Sequence, residues 1–376
     1  MERRQKQEHD GAGALGSSRP LRRGWTTGAC AAAAARAAYE GWLTGKFPDP
    51  VAIGLPGGAQ PSFRLALAER DEDEARVGIV KDAGDDPDVT HGALVISAVR
   101  PGPPRSGLSF RAGAGIGTVT RPGLPLAVGE PAINPGPRRM IAAALAEFDS
   151  AAAPPDLIVS VSIPGGEALA AKTLNGRLGI VGGLSVLGTT GIVIPYSCSS
   201  WIHSIQRGID VARAAGLTHV AAATGSTSEA AVARLHGLPE IALLDMGDFV
   251  GGTLKYLRRH PVPRLTLAGG FGKLAKLAAG HLDLHSARSR LDLGWLADRL
   301  GETGAPAASI AAAREAGGGG ELLAIAQSAG PHYAERLARL IAIQAREVAL
   351  ATLAGTVAVD VAVFDRDGSL IGHAGP

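Results

Sequence analysis

The chain has 376 residues, with Lys plus Arg at 37, Asp plus Glu at 35 and a formal net charge of +2, so it carries no long-range field toward nucleic acid or an anionic membrane. An aromatic share of 4% argues against base-stacking platforms, and the length suffices for two domains with substantial cores. Two cysteines, Cys30 and Cys198, cannot build a structural zinc set or a disulfide framework, and a reducing cytoplasm is the simplest setting.

Residues 1–20 are charged, then rich in Gly and Ser, with no apolar signal-peptide core, and are expected to be a disordered tail. The small-apolar run 29–35 is too short and too weakly hydrophobic to span a bilayer. The first ordered segment leads from Leu21 into an alanine-rich helix to about Thr44, which Thr26 or Thr27 can cap through a hydroxyl. At that helix start Thr26, Thr27 and Gly28 could also cradle an anionic group. Cys30, in the first turn, should have its pKa lowered by the helix dipole, but it has no local His partner for a nucleophilic role.

Strand patterns follow at 51–55, 63–68, 75–80, 93–99 and 108–120, separated by Gly/Pro turns or acidic stretches. Between the third and fourth lies Lys81-Asp82-Ala83-Gly84-Asp85-Asp86-Pro87-Asp88-Val89-Thr90-His91. One reading is a solvated Asp-rich turn. The other is a catalytic loop in which Asp85 or Asp86 works with His91 as an acid/base pair; the spacing is not that of a calcium loop. Gly113-Ala114-Gly115-Ile116-Gly117 lacks dinucleotide-loop spacing, so its glycines are read as permitting close approach of a ligand or another backbone. Arg138 and Arg139 stand near the start of a helix that runs to about Phe148, either facing anionic ligand groups or simply exposed.

A composition break at 151–155 precedes a buried-type strand at 157–163, then Pro164-Gly165-Gly166-Glu167 and a helix ending near Asn175-Gly176. After a short strand at 191–195 the pattern becomes regular. The expected boundary therefore divides an α+β domain, 21–195, from a second α/β domain, 196–376. Within the second, residues 218–285 hold three strand–loop–helix units. Their loops begin at Thr224-Gly225-Ser226, Asp245-Met246-Gly247-Asp248 and Gly269-Gly270-Phe271-Gly272-Lys273. Such units suit a mostly parallel sheet with loops gathered at the carboxyl ends of the strands, where ligands bind. Glu229, Asp245 and Asp248 are either ligand-binding carboxylates or residues that cap helices and complement their dipoles. His281-Leu282-Asp283-Leu284-His285, after a helix ended by Gly280, reads first as a polar lip over that edge, then as plain surface, and last as a metal site through two histidines four apart. Helices at 291–300, 305–316 and 321–352 and a closing hairpin with an Asp367-Gly368 turn complete the chain, as scaffold or homodimer surface.

Six stretches in chain order carry a family resemblance. They begin at Arg23 with Trp25-Thr26-Thr27-Gly28-Ala29-Cys30, at Asp82 with the Asp-rich loop, and at Gly115 with Ile116-Gly117-Thr118. The others are Leu174-Asn175-Gly176-Arg177-Leu178-Gly179, Thr224-Gly225-Ser226-Thr227-Ser228-Glu229 and Gly269-Gly270-Phe271-Gly272-Lys273. Together they resemble the CbiD family, the cobalt-precorrin-5B (C1)-methyltransferases of cobalamin biosynthesis. The resemblance implies an α+β domain followed by a Rossmann-like α/β domain, S-adenosylmethionine as methyl donor, and a cobalt-containing corrin precursor as acceptor. It also implies that the cobalt belongs to the substrate and that no protein-bound metal is required.

In that light Thr224, Gly225, Ser226, Glu229, Asp245, Asp248, Gly269 and Gly270 are candidates for holding the donor. Thr26, Thr27, Gly28, Arg138, Arg139, Arg177, His281 and Asp283 are candidates for the carboxylate-bearing acceptor. Methyl transfer depends chiefly on alignment, with Asp85, Asp86 and His91 as candidate catalytic groups. Two other classes remain: another nucleotide enzyme such as a dehydrogenase, which the missing glycine fingerprint disfavours, and a non-enzymatic tetrapyrrole carrier.

Overall fold

The computed structural model describes residues 20–148, 156–355 and 357–375. The expected tail, up to residue 19, and the composition break at 151–155 lie outside them.

Thr26 adopts extended backbone and its hydroxyl accepts the Ala29 N–H at 3.2 Å, which starts helix α1 (Thr27–Thr44); Gly45, at φ +77°, ends it. Nine residues from Ala29 to Ala38, Cys30 among them, have no exposed surface. Alanine makes this burial on nearly all sides feasible, because a helix without long side chains lets neighbours approach its backbone closely. A five-stranded sheet forms from β1 (Leu67–Arg70), β2 (Ala75–Val80), β3 (Leu94–Pro101), β4 (Leu108–Ala112) and β5 (Leu157–Ser162). Their order is β1-β2-β3-β5-β4, antiparallel except for the parallel pair β4 and β5. Helix α1 packs on β2 and β3 and on helix α2 (Pro135–Phe148).

Three expected elements of the first half differ. The strand pattern at 63–68 divides: Ser62–Phe63 pairs with Val51–Ala52, whereas β1 joins the main sheet. The pattern at 108–120 breaks at its glycines. Gly115 has φ +77°, and an ideal Cβ there would stand 1.8 Å from the Ile163 carbonyl oxygen, so the loop is pressed against the backbone that follows β5. The helix after Glu167 covers only Gly166–Ala170. The Thr173 hydroxyl then donates to the Ala170 carbonyl and accepts from the Asn175 N–H, local bonds that replace the helical ladder.

The second half opens with α3 (Cys198–Ala214). Next come β6 (His219–Ala223), α4 (Ser226–His236), β7 (Leu243–Asp245), α5 (Val250–Arg259), β8 (Arg264–Gly270) and α6 (Phe271–Ala278). Four helices follow, α7 (Leu293–Glu302), α8 (Ala307–Arg314), α9 (Gly319–Ala329) and α10 (Pro331–Leu353), then β9 (Ala358–Phe364) and β10 (Leu370–Ala374). The expected single helix at 321–352 is broken at Gly330-Pro331, where proline has no N–H to continue the ladder.

The second sheet has the order β7-β6-β8-β9-β10, parallel except for β10. The anticipated hairpin is present as β9 and β10, and its first strand also extends the parallel array beside β8. Alternate residues face opposite sides. Ala221, Ala223, Ala268, Ala362 and Phe364 pack with Ala231 and Val232 of α4, whereas Val220, Leu265, Leu267, Val359 and Val361 pack with the other helices. The two largest buried clusters draw on residues 29–186 and 205–374 respectively. Among the described residues, no helix is long and apolar enough to cross a membrane.

Candidate active site at the carboxyl edge of the parallel sheet

From β6 the chain moves outward to β7, then returns past β6 to β8. That reversal makes the carboxyl ends of β6 and β8 a topological switch point, the place where open α/β sheets bind ligands. Thr224-Gly225-Ser226 leads from β6 into α4, and Gly269-Gly270-Phe271 joins the end of β8 directly to α6. An ideal Cβ at Gly225 or Gly270 would meet nothing within 4 Å, so both glycines front open space. Gly269 differs: its Cβ would stand 2.9 Å from the Thr224 hydroxyl, so this glycine serves the contact between the end of β8 and the turn after β6. Ser226 is exposed at the first turn of α4, whose N-terminus has no side-chain cap.

Three carboxylates stand at this edge, and their surroundings separate them. Glu229 is held by both terminal nitrogens of Arg177, at 2.8 and 2.7 Å, and Arg177 Nε also donates to Glu240 at 3.2 Å. The expected donor ligand and the expected acceptor ligand thus bind each other. Glu229 holds the Arg177 guanidinium proton more firmly than usual. Asp248 is paired with Lys273, which also donates to the Leu284 carbonyl at 3.3 Å. Asp245 is half-buried, and no hydrogen bond reaches its carboxylate among the described residues. Burial raises its pKa, the Glu229 charge adds to that, and Arg177 partly opposes it.

The first half contacts this edge through α3. The Asp86 carboxylate accepts the Tyr196 N–H at 2.9 Å just before α3, and Trp201 of α3 donates its indole N–H to the Asp245 carbonyl at 3.1 Å. Within the Asp-rich loop the expected pairing is corrected. Asp85 accepts the Arg22 N–H at 2.6 Å and Asp86 is turned to Tyr196, so neither serves His91. The carboxylate facing His91 is Asp82, at 4.0 Å, and Asp82 is also gripped by the Arg22 guanidinium. Hydrogen bonds from Arg22 and from the Gly84 N–H hold the Asp82 carboxyl down at about 2. Lys81 is buried and pairs with the half-buried Asp88; partial burial alone would raise the Asp88 carboxyl, but the Lys81 charge and hydrogen bonds from Lys81 and Thr90 hold it below its usual range.

Other candidates fall elsewhere. Thr27 is buried, the Gly28 N–H donates to the Leu187 carbonyl at 3.0 Å, and the Ala29 N–H is taken by Thr26, so this chain's own loop covers the start of α1. Arg138 donates to the Ile133 carbonyl at 2.7 Å, reaches Glu130 and lies 5.3 Å over the Phe110 ring, whereas Arg139 is exposed. Asp283 is bound by Arg288 at 2.5 Å, and Arg288 also lies 3.6 Å from the Cys198 sulfur. His281 is half-buried after Gly280, which has φ +91° where α6 has ended. Cys30 reverses the expected dipole effect: burial pushes its thiol up to about 12, overriding the nearby Lys81 charge.

Sequence reasoning passed over Asp82, Trp201, Lys273 and Arg288 as members of these clusters. Some of their partners are distant, up to 90 residues away, although Asp82 in the Asp-rich loop, Lys273 next to a glycine turn and Arg288 five residues from Asp283 each carry a local signal.

The CbiD family model matches residues 15–195, and the model for the CbiD C-terminal domain matches residues 283–375. The cobalt-precorrin-5B C(1)-methyltransferase of Bradyrhizobium sp. strain BTAi1 is 60% identical over 357 residues, covering 95% of this chain and 94% of the relative. The protein of the same name from Paramagnetospirillum magneticum is 59% identical over 362 residues, covering 96% and 100%. A crystal structure of the cobalamin biosynthesis protein CbiD from Archaeoglobus fulgidus is 28% identical, with a TM-score of 0.37 over 72% of this chain and 84% of that one. The chain belongs to the CbiD family.

Proposed function

We propose that this chain is an S-adenosylmethionine-dependent cobalt-precorrin-5B C(1)-methyltransferase, acting at C-1 of a cobalt-containing corrin precursor in cobalamin biosynthesis. Relatives of that name, 60% and 59% identical over nearly full length, support the reaction. The organisation that accompanies it is an α+β domain, 21–195, and a Rossmann-like domain, 196–376.

The observation that carries the donor site is Asp245, the one carboxylate of the three without a hydrogen-bonding side-chain partner, at the end of the strand that follows the Thr224–Ser226 loop. It lies 20 residues after Gly225 (245 − 225), the spacing at which such folds place the acid that accepts hydrogen bonds from a ribose diol. The uncapped start of α4 suits the methionine carboxylate, because its first N–H groups and the helix dipole favour an anion. The open space before Gly225 and Gly270 leaves room for the nucleoside. S-adenosylmethionine supplies an electrophilic methyl: the new C–C bond takes its electron pair from the macrocycle, and the pair of the broken S–C bond stays on sulfur. This chain's contribution is then chiefly alignment of donor and acceptor. His91 beside Asp82 is the candidate proton acceptor on the acceptor side, and Arg139 the exposed cation for a peripheral carboxylate.

The test is incubation with cobalt-precorrin-5B and methyl-labelled S-adenosylmethionine. Gain of one labelled methyl by the macrocycle is expected. A folded protein that transfers no label to authentic substrate would overturn the reading.

A further inference from the structure

At the other end of the parallel sheet lies a cluster that methyl transfer does not use. His219 begins β6, His236 ends α4 and Asp360 lies on β9, beside Thr266 of β8. One ligand atom from each of His219, His236 and Asp360 lies within 4.8 Å of the other two. The imidazole rings are 4.9 Å apart between centroids. Nε2 of His219 and Nε2 of His236 both approach the Thr266 hydroxyl, at 2.8 and 3.4 Å, and that hydroxyl donates to Asp360 Oδ2 at 3.2 Å. A hydroxyl has one proton, so once it serves Asp360 it can only accept from both rings.

A second observation points to a ligand. Asp360 is fully buried, and Arg264 holds its Oδ2 at 2.5 Å, yet its Oδ1 is buried without a hydrogen-bond partner. A buried carboxylate oxygen with no donor is costly and calls for a cation or a proton. Two imidazoles and one carboxylate make a borderline nitrogen–oxygen donor set, the kind that takes zinc with a water in the remaining position. Arg264 and Thr266 on Oδ2 would then orient the carboxylate from the outer shell. Burial first, then the Arg264 charge, keeps both rings below the usual imidazole range, so they are neutral at neutral pH. His373 of β10 also acts on the His236 ring.

We propose that His219, His236 and Asp360 form a site for one borderline divalent transition metal, with zinc as the reference ion, at the amino ends of the parallel strands. This departs from the expectation that the protein needs no metal of its own, and it is independent of the substrate's cobalt. The site ties β6, β9 and the end of α4 together.

The experiment uses the full chain without a histidine tag, stripped with chelator and titrated with zinc by calorimetry. One zinc per chain is expected, with a rise in Tm. His219→Gln and His236→Gln should each weaken binding by more than about 100-fold, since changes to outer-shell partners alone typically cost 10–100-fold. His332→Gln, on α10, should leave it unchanged. No stoichiometric zinc on the wild-type chain, or variants that bind as tightly as wild type, would overturn the proposal. If a variant fails to fold, cobalt(II) added to the stripped wild-type chain decides the matter. Strong visible bands of a four-coordinate site support the proposal, and a spectrum no different from aqueous cobalt(II) overturns it.

Discussion

Arg177 and Glu229 face each other fork to fork, at 2.8 and 2.7 Å, across 52 residues of sequence. Arg177 follows the turns after the first sheet, whereas Glu229 lies in the first turn of α4, so the pair fastens the first half to the ligand edge of the second. Both side chains are mostly buried, and the geometry is bidentate, which distinguishes this pair from the exposed ion pairs elsewhere on the molecule.

Arg177→Ala should therefore destabilise the protein by about 1–3 kcal/mol, because Glu229 loses its partner where water reaches it poorly. A double-mutant cycle with Glu229→Ala, followed by urea unfolding, should give a coupling of about 1 kcal/mol or more. A coupling near zero would show that the two side chains merely lie side by side.

Asp245→Asn should raise the KM for S-adenosylmethionine by roughly 10- to 100-fold with little change in stability, as expected when a charged acceptor of hydrogen bonds is removed. Burial and Glu229 raise the Asp245 pKa, so its protonation begins at a higher pH than for an ordinary aspartate. Donor affinity should accordingly weaken on acidification before the usual carboxylate range is reached. Methyl-transfer kinetics give the KM of wild type and variant, and calorimetry from pH 7.5 downward gives the donor affinity; an unchanged KM would remove Asp245 from the donor site.

Cys30 should resist thiol reagents in the folded state, because it is fully buried and its thiol is pushed up to about 12. Cys198, half-buried at the start of α3, should be the thiol that reacts. Mass spectrometry after brief alkylation should find one modified cysteine, and Cys30→Ala should keep methyl transfer. Loss of transfer in a folded Cys30→Ala protein would restore a chemical role for the thiol.

Asp82 offers an acid-stability test. Its pKa falls from the ordinary 3.8 to about 2 on folding, so the unfolded chain binds the proton more readily. The resulting stabilisation is present above pH 3.8 and is lost as pH falls through 2. Asp82→Asn should therefore flatten the decline in urea midpoint over that window. The pair with Arg22 is half-exposed, so salt should shrink the difference.

Gly115→Ala should cost about 3 kcal/mol or more, since it combines a Cβ placed 1.8 Å from the Ile163 carbonyl oxygen with a backbone at φ +77°. Loss of soluble, cooperatively unfolding protein is the expected readout. Gly58→Ala, also at positive φ but with nothing within 4 Å, isolates the backbone contribution and should be milder.

The parts legible in the sequence were those written locally. Thr26 before an apolar helix announces a cap, Gly280 a helix end, and the apolar runs before Thr224, Asp245 and Gly269 announce parallel strands. What stayed hidden was pairing. Nothing near Glu229 or Asp248 distinguishes them from Asp245, because Arg177 and Lys273 reach two of the three only after the chain has folded. For the same reason the sequence points His91 to Asp85 and Asp86, its neighbours in a carboxylate-rich loop. The backbone turns those two outward to Arg22 and Tyr196 and leaves Asp82 facing the ring. Cys30 failed differently. It does lie in the first turn, but the dipole lowers the pKa of exposed groups, and this residue has no solvent at all.

Helix α1 shows how little composition says about constraint. A run of alanines looks like filler, since it offers no charge, no hydrogen bond and no shape to recognise. Packed against a sheet and a second helix with no exposed surface, each methyl marks the volume its neighbours leave free. A longer side chain at most of these positions would have to displace a strand or helix α2. The least varied stretch of the chain is thus among the least free to change.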